Sequence, residues 1–178
     1  MTLETWHGEE AYNRVTDILT RMIGQPLVDV YKGIYHRYFD MGEYVQCIGR
    51  KGRQQGISDY GISSGYEFDF HGPNGLLIEA WETVGTDEDW DHLFALTDAK
   101  RIRMQSFRLE KNFSLTVEFD HGYRIEATFP NKFEKTIHVY HLFFLKDNRQ
   151  RFVVSHNNGV TALEKLKTSW VPISPASE

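Results

Sequence analysis

The sequence predicts an α+β fold made mainly of antiparallel β-sheet, and three patterns support this prediction. A hairpin pattern, in which an apolar alternation runs through a glycine turn into a second alternation, occurs over residues 67–80 and again over 117–127. An amphipathic helix precedes both copies and is expected to pack its apolar side on the sheet. The 178 residues, 40% of them hydrophobic, suit one domain with a substantial core. We therefore expect two quasi-repeated hairpin units and the helix in a single domain over 1–171, followed by a flexible tail over 172–178.

The first third of the chain contains the helix, two strands and a glycine-rich segment. Apolar residues recur at helical spacing over 9–23, and Gly24 should end the helix because glycine readily adopts the left-handed conformation. Val, Ile and Tyr dominate 27–39 and 44–48, which is typical of strands. Five glycines over 49–65 predict a flexible loop, and a loop of that length inside a domain is usually functional or disordered.

An acidic segment between the two hairpins predicts a short helix. Thr86 has a side chain suited to an N-cap, and the carboxylates of 87–89 would fill the first turn, where the helix dipole favours negative charge. The apolar stripe of this helix would consist of Trp90, Leu93 and Phe94. The acidic cluster therefore has a structural explanation that needs no ligand.

The second half of the chain is expected to be mostly strand. Alternation or continuous apolar character predicts strands over 102–109, 113–119, 123–129, 137–145 and 152–155. Residues 161–167 are expected to form a last short helix. The predicted sheet therefore accounts for most of the chain between the second helix and the tail.

Composition excludes several classes of partner. A net charge of −5 and a pI of 5.9 argue against general nucleic-acid binding, which needs a basic face. No apolar run is long enough to cross a bilayer, and the first residues lack the layout of a signal peptide, so we expect no membrane association and a cytoplasmic location. Cys47 is the only cysteine and is expected to be a buried, inert thiol.

The residues that could bind a metal ion or act in catalysis have ordinary structural explanations. His138 and His141 are three apart, so in a regular strand they would point to opposite faces. A carboxylate–histidine pair is conceivable at Asp89 and His92, which a helix would bring together. His71 and His121 lie at equivalent turns, and the sequence does not say whether they are close. Carboxylate pairs such as Asp69 with Glu79, or Glu118 with Glu126, are expected on exposed hairpin faces with basic cross-strand partners. We therefore assign no catalytic residue, no metal ligand and no cofactor.

The chain combines IGQPLVDV over 23–30, a following strand and glycine turn, and Leu-Ile-Glu over 77–79 with a similar alternation of apolar residues and Gly122 over 115–125. This pattern covers most of the chain and resembles that of a group of small bacterial proteins that are often encoded beside toxin genes. It implies an immunity-like or antitoxin-like role and assigns no functional residue.

The favoured hypothesis is a non-catalytic, cytoplasmic binding protein that blocks a protein partner by surface complementarity. The partner would be a basic protein such as a toxin, and it would contact the acidic helix start. Tyrosines around the early strands also fit a binding surface. Two alternatives remain: a metal-assisted hydrolase that uses His and Asp or Glu from loops at one end of the sheet, and a homodimer formed through an exposed strand edge. The predicted partner-binding residues are Asp87, Glu88, Asp89, Trp90 and Asp91.

Overall fold

The computed structural model describes most of the chain, in nine segments. The described residues are 4–34, 36–49, 51–64, 68–80, 82–128, 137–144, 150–157, 160–166 and 171–172. They form two α-helices and fourteen β-strands, so the predicted α+β class is confirmed. The helices are α1 (Gly8–Met22) and α2 (Asp87–Asp98). The strands are β1 (Thr5–His7), β2 (Leu27–Lys32), β3 (Arg37–Ile48), β4 (Gln54–Ser64), β5 (Phe68–Gly72), β6 (Gly75–Glu79), β7 (Glu82–Thr83), β8 (Met104–Leu109), β9 (Leu115–Phe119), β10 (Arg124–Ala127), β11 (Ile137–Phe144), β12 (Gln150–Asn157), β13 (Val160–Leu166) and β14 (Val171–Pro172).

The strands form two antiparallel sheets. The larger sheet has the order β1-β13-β12-β11-β4-β3-β14, and β2 also pairs with β3. The smaller sheet has the order β7-β6-β5-β10-β9-β8, so β5 and β10 lie at its centre. Among the described residues, neither helix has the length and apolar character that a membrane span requires.

A single core joins the two sheets and the first helix. Phe39 of the larger sheet packs edge-on against Phe68 and Phe70 of the smaller one, with ring centroids 5.8 and 5.1 Å apart. Four residues of α1 are fully buried in the same core, namely Ala11, Val15, Leu19 and Met22. Burying one aromatic or large aliphatic side chain contributes about 1.5–3 kcal/mol, so these contacts favour folding.

The end of α1 connects the helix to the smaller sheet. Gly24 has φ +84°, the left-handed conformation expected of a helix-terminating glycine. Its N–H donates to the carbonyl of Met104 (2.8 Å), and the N–H of Leu27 donates to the carbonyl of Ile102 (2.7 Å). These bonds hold the segment between α1 and β2 against the start of β8.

The predicted loop over 49–65 is wrong, because most of this segment is strand β4. Along its length β4 pairs with β3, and its second half also pairs with β11. A Cβ on Gly56 would be 3.4 Å from Gln46 and 3.6 Å from Tyr44, which is ordinary van der Waals contact. Pairing with β3 and β11 therefore decides the structure of this segment, although its glycine content is more typical of loops.

The predicted helix over 161–167 is also wrong. Residues Val160–Leu166 form β13, which pairs with β12 on one side and with β1 on the other. Pairing on both edges satisfies the backbone of this segment, so weak local helix propensity does not decide its structure. Of the predicted tail, Pro172 belongs to β14 and pairs with Cys47, and the rest lies outside the described residues.

The two predicted hairpins, β5–β6 and β9–β10, are neighbours in the smaller sheet because β5 pairs with β10. Their turns differ. The first is a short turn before Gly75 (φ +138°), whereas the second is a 3-10 helix (Asp120–Gly122) in which His121 has φ +59°. That the two units are copies of one another stays a prediction.

Candidate functional site

Helix α2 carries all five residues predicted to bind a partner, and its start is tied down by hydrogen bonds. The side chain of Thr86 accepts from the N–H of Asp89 (3.2 Å), and Asp89 accepts from the N–H and hydroxyl of Thr86 (3.3 and 2.7 Å). Asn74 also donates to Asp89 (3.1 Å). Hydrogen bonds from Asn74 and Thr86 lower the pKa of Asp89. The predicted N-cap is confirmed, and Asp89 has a structural role as its reciprocal partner.

Three of the other predicted residues, Asp87, Glu88 and Asp91, are exposed carboxylates. None of the three forms an ion pair within the described part of the chain. The helix contains five carboxylates and neither Lys nor Arg, so no cation of its own neutralises them. The start of α2 therefore presents uncompensated negative charge to solvent.

Aromatic residues lie next to these charges. Trp90 is half-buried against the core, and its ring lies 5.7 Å from that of Phe94. Phe94 is 39% exposed and is one of several large apolar residues that reach solvent. Asp91 lies four residues after Asp87 and three before Phe94, so all three share one side of the helix. We name Asp87, Glu88, Asp91 and Phe94 the α2 surface.

A small depression separates α2 from the turn between β5 and β6. His92 and Asp89 line it together with Tyr123 and the residues of the turn. Both carboxylate oxygens of Asp89 already accept hydrogen bonds from Asn74 or Thr86. These bonds give Asp89 a structural role in the cap, and the carboxylate–histidine site at Asp89 and His92 stays a prediction.

A second cluster lies on the opposite side of the smaller sheet from the core. Glu126 of β10 pairs directly with Asp69 of β5, and the next pair on the same face is Arg124 with His71. His71 Nε2 lies 3.1 Å from Glu126 Oε2. One ligand atom from each of Asp69, His71 and Glu126 lies within 4.8 Å of the other two. We name these three residues the triad.

Each carboxylate of the triad is also held by a neighbouring group. The N–H of Ala80 donates to Asp69 Oδ1 (2.9 Å). Arg124 Nε lies 2.9 Å from Glu126 Oε1, and although the two atoms form an ion pair, their geometry does not meet that of a hydrogen bond. The triad therefore combines one imidazole, two anchored carboxylates and one adjacent cation.

Sequence analysis named Asp69, His71 and Glu126 separately, but it paired carboxylates only within a hairpin. Asp69 was matched with Glu79, and Glu126 with Glu118, each within its own hairpin. The structure places Glu126 opposite Asp69 of the other hairpin, and Glu118 opposite Arg124. Polar residues alternate with apolar ones at 69 and 71 and at 124 and 126, which indicated two polar strand faces. The sequence does not reveal that these two strands, β5 and β10, are adjacent.

The other histidines are not part of the triad. His121 is exposed at the same end of the sheet as His71, since a Cβ on Gly122 would lie 3.7 Å from Pro73 in the turn after β5. The strand register shifts by one residue between His138 and Tyr140, so the argument from regular alternation does not apply across that point.

Tyrosines and carboxylates form a third polar group on the larger sheet. Asp40 of β3 pairs with Asp29 of β2, and Tyr44 donates to Asp29 (3.4 Å). The rings of Tyr31 and Tyr38 stack at 5.0 Å. Burial raises the pKa of Asp40 to about 7, opposed by a hydrogen bond from Ser58 and increased by the charge of Asp29.

Several tyrosines near these strands, and Cys47, are partly or fully buried. Burial raises the pKa of Tyr31 and of Tyr44. Of the tyrosines around the early strands, Tyr60 belongs to the core, and those at 35 and 66 lie outside the described residues. Cys47 is 4% exposed, which confirms the prediction of a buried thiol.

The chain was compared with protein-family models, with curated proteins and with solved structures, and none of them matches it. The functional argument therefore rests on the geometry and electrostatics of the sites described above.

Proposed function

We propose that this protein is a non-catalytic binding protein that blocks a basic protein partner through the α2 surface, as an immunity protein or antitoxin does. One observation carries the proposal. The α2 surface combines three exposed carboxylates that have no cationic partner among the described residues with a large exposed aromatic side chain.

Each part of this surface supplies a different contribution to binding. Uncompensated charge of one sign attracts a partner of the opposite sign and raises the association rate. Phe94 supplies apolar area near the charges, and aromatic residues are enriched among those that dominate binding energy. Acidic residues around an aromatic anchor therefore suit a basic surface that has an apolar pocket.

The same charges argue against self-association through this surface. In a twofold dimer the same patch of both copies meets, so each carboxylate of one copy would face carboxylates of the other. Like charges brought together at an interface are unfavourable. A different protein of opposite charge is therefore a better binding partner for the α2 surface than a second copy of this chain.

A site-specific crosslinking experiment tests whether the surface is occupied. A photoreactive phenylalanine analogue is placed at Phe94 and, as a control, at Ile34, which is 84% exposed on the turn between β2 and β3. In cells that natively produce the protein, we expect a discrete adduct with a basic protein from position 94 and none from position 34. Absence of an adduct at position 94, or the same adducts from both positions, contradicts the proposal.

Charge variants then test the mechanism with the crosslinked partner in purified form. Asp87→Asn, Glu88→Gln and Asp91→Asn are combined, and Asp89 is left intact because it caps the helix. The matched control combines Glu9→Gln, Glu10→Gln and Asp17→Asn, which also removes two first-turn carboxylates and one later carboxylate from an exposed helix side.

We expect the α2 variant to associate about tenfold more slowly at low salt and to lose most of its salt dependence, because steering commonly raises association rates by at least this factor. The control should stay within about twofold of the wild type. Equal rates for the two variants would show that the partner binds elsewhere.

A further inference from the structure

We propose that Asp69, His71 and Glu126 bind one divalent first-row transition-metal ion on the outer face of the smaller sheet. This site is separate from the α2 surface and does not depend on the function proposed for it. It was not anticipated from the sequence, which gave these residues a purely structural role.

The spacing of the ligand atoms suits such an ion. His71 Nε2 and Glu126 Oε2 are 3.1 Å apart. Two ligand atoms that each lie about 2.1 Å from a metal ion are about 3.0 Å apart in octahedral geometry and about 3.4 Å apart in tetrahedral geometry. An ion therefore fits between these two atoms with little movement. The ligand atom of Asp69 lies within 4.8 Å of the other two, so its side chain has to move by up to about 1.8 Å to complete the site.

One oxygen of each carboxylate already has a neighbouring partner, which leaves the other oxygen for the ion. Asp69 Oδ1 accepts the N–H of Ala80, so Oδ2 is the available ligand atom. Glu126 Oε1 faces Arg124, so Oε2 is the available atom, on the side of His71. Partners of this kind orient metal-binding carboxylates in known sites.

The backbone beneath the triad should be rigid. β5 and β10 are the two central strands of a six-stranded sheet, and each is paired on both sides. Sites on central strands hold their ligands more precisely than sites on loops. In this respect the triad differs from the loop-based metal site considered as an alternative from the sequence.

The donor set determines which ions are suitable. One imidazole with two carboxylates suits zinc, manganese and similar ions better than calcium, which prefers oxygen ligands alone. Two carboxylates balance the charge of a divalent ion. The side chains of His71 and Glu126 are 24% and 36% exposed, so water can occupy the remaining coordination positions. Arg124 adds a positive charge beside the site, so we expect moderate affinity.

Calorimetric titration of the purified chain without an affinity tag tests the proposal, with Zn²⁺ and Mn²⁺ as separate probes. We expect one ion per chain and weaker binding at acidic pH, because a protonated imidazole cannot act as a ligand. The variants Asp69→Asn, His71→Gln and Glu126→Gln should each weaken binding at least about tenfold. Glu118→Gln is the matched control, since it removes a half-buried carboxylate from the same face and should change the affinity less than about twofold.

Paramagnetic broadening locates the ion without relying on variants. Mn²⁺ bound at the triad should broaden the amide signals of 69–71 and 124–126 in NMR spectra of the wild type, and leave those of α1 sharp. Failure of both ions to bind at 1 mM (roughly the weak end of metal affinities in proteins), an affinity unchanged in all three triad variants, or broadening centred elsewhere would each overturn the proposal.

Discussion

The substitution Asp40→Asn should make the protein more stable at alkaline pH. Asp40 lies in β3 opposite Asp29, and burial together with that neighbouring charge raises its pKa to about 7. A hydrogen bond from Ser58 opposes this shift without cancelling it. At neutral and higher pH the folded protein therefore contains a carboxylate whose ionisation is unfavourable, and asparagine removes that ionisation while keeping the shape of the side chain.

The sign of the effect follows from comparing the folded and unfolded states. An unfolded aspartate has a pKa of about 3.9, so between about pH 4 and pH 7 the folded state binds more protons than the unfolded state. The contribution of Asp40 to the free energy of unfolding is therefore complete below about pH 4, and it is lost as the pH rises through about 7. A shift of about 3 pKa units corresponds to about 4 kcal/mol, of which about 3 kcal/mol is lost between pH 5 and pH 8.

Urea unfolding followed by circular dichroism at pH 5, 6, 7 and 8 measures this effect. The stability of Asp40→Asn relative to the wild type should increase by about 3 kcal/mol from pH 5 to pH 8. Asp17→Asn, which changes an exposed carboxylate on α1, should show no such increase. Parallel curves for Asp40→Asn and the wild type would refute the reasoning, because they would show that Asp40 titrates normally.

Two substitutions test the fold itself. Thr86→Ala removes the hydroxyl that accepts from the N–H of Asp89 and should cost about 1 kcal/mol in urea unfolding, with Thr86→Ser restoring most of it; no loss would mean that the cap does not hold α2. Phe39→Ala leaves a cavity between the sheets beside Phe68 and Phe70 and should cost about 3–5 kcal/mol; a loss below about 1 kcal/mol would contradict the shared core.

Local signals in the sequence predicted the helices well. The periodicity over 9–23 places α1 within one residue of its observed bounds, and Gly24 has the left-handed φ expected of it. Thr86 caps α2 as predicted. All of these features depend on residues within a few positions of one another, so they can be predicted without knowing how the rest of the chain folds.

The errors occur where distant strands decide the structure. Residues 49–65 have the composition of a loop, yet β4 pairs with β3 and with β11, which lies more than seventy residues away along the chain. Residues 161–167 become a strand because β1 and β12 supply partners for their backbone. Strand formation depends on such partners more than helix formation does, and a single sequence does not specify them.

The same limit explains why the triad was missed. His71 and Glu126 are fifty-five residues apart in sequence and are brought to 3.1 Å only because two hairpins lie side by side. By contrast, the charges of the α2 surface lie within five residues of one another, so the sequence alone shows that they cluster. What remained hidden there was the capping role of Asp89, whose side chain bonds to Thr86.

The turn after strand β5 connects the two proposed sites, so changes at one site need to be separated from changes at the other. His71 is the last triad residue along β5. Asn74, three residues later, donates a hydrogen bond to Asp89 at the start of α2. A Glu126→Gln variant that alters partner binding has two explanations: a change transmitted through this turn, or a partner that covers the sheet face as well. A double-mutant cycle with Asn74→Ala distinguishes them, because a transmitted change disappears when the bond to Asp89 is absent, whereas a direct contact does not.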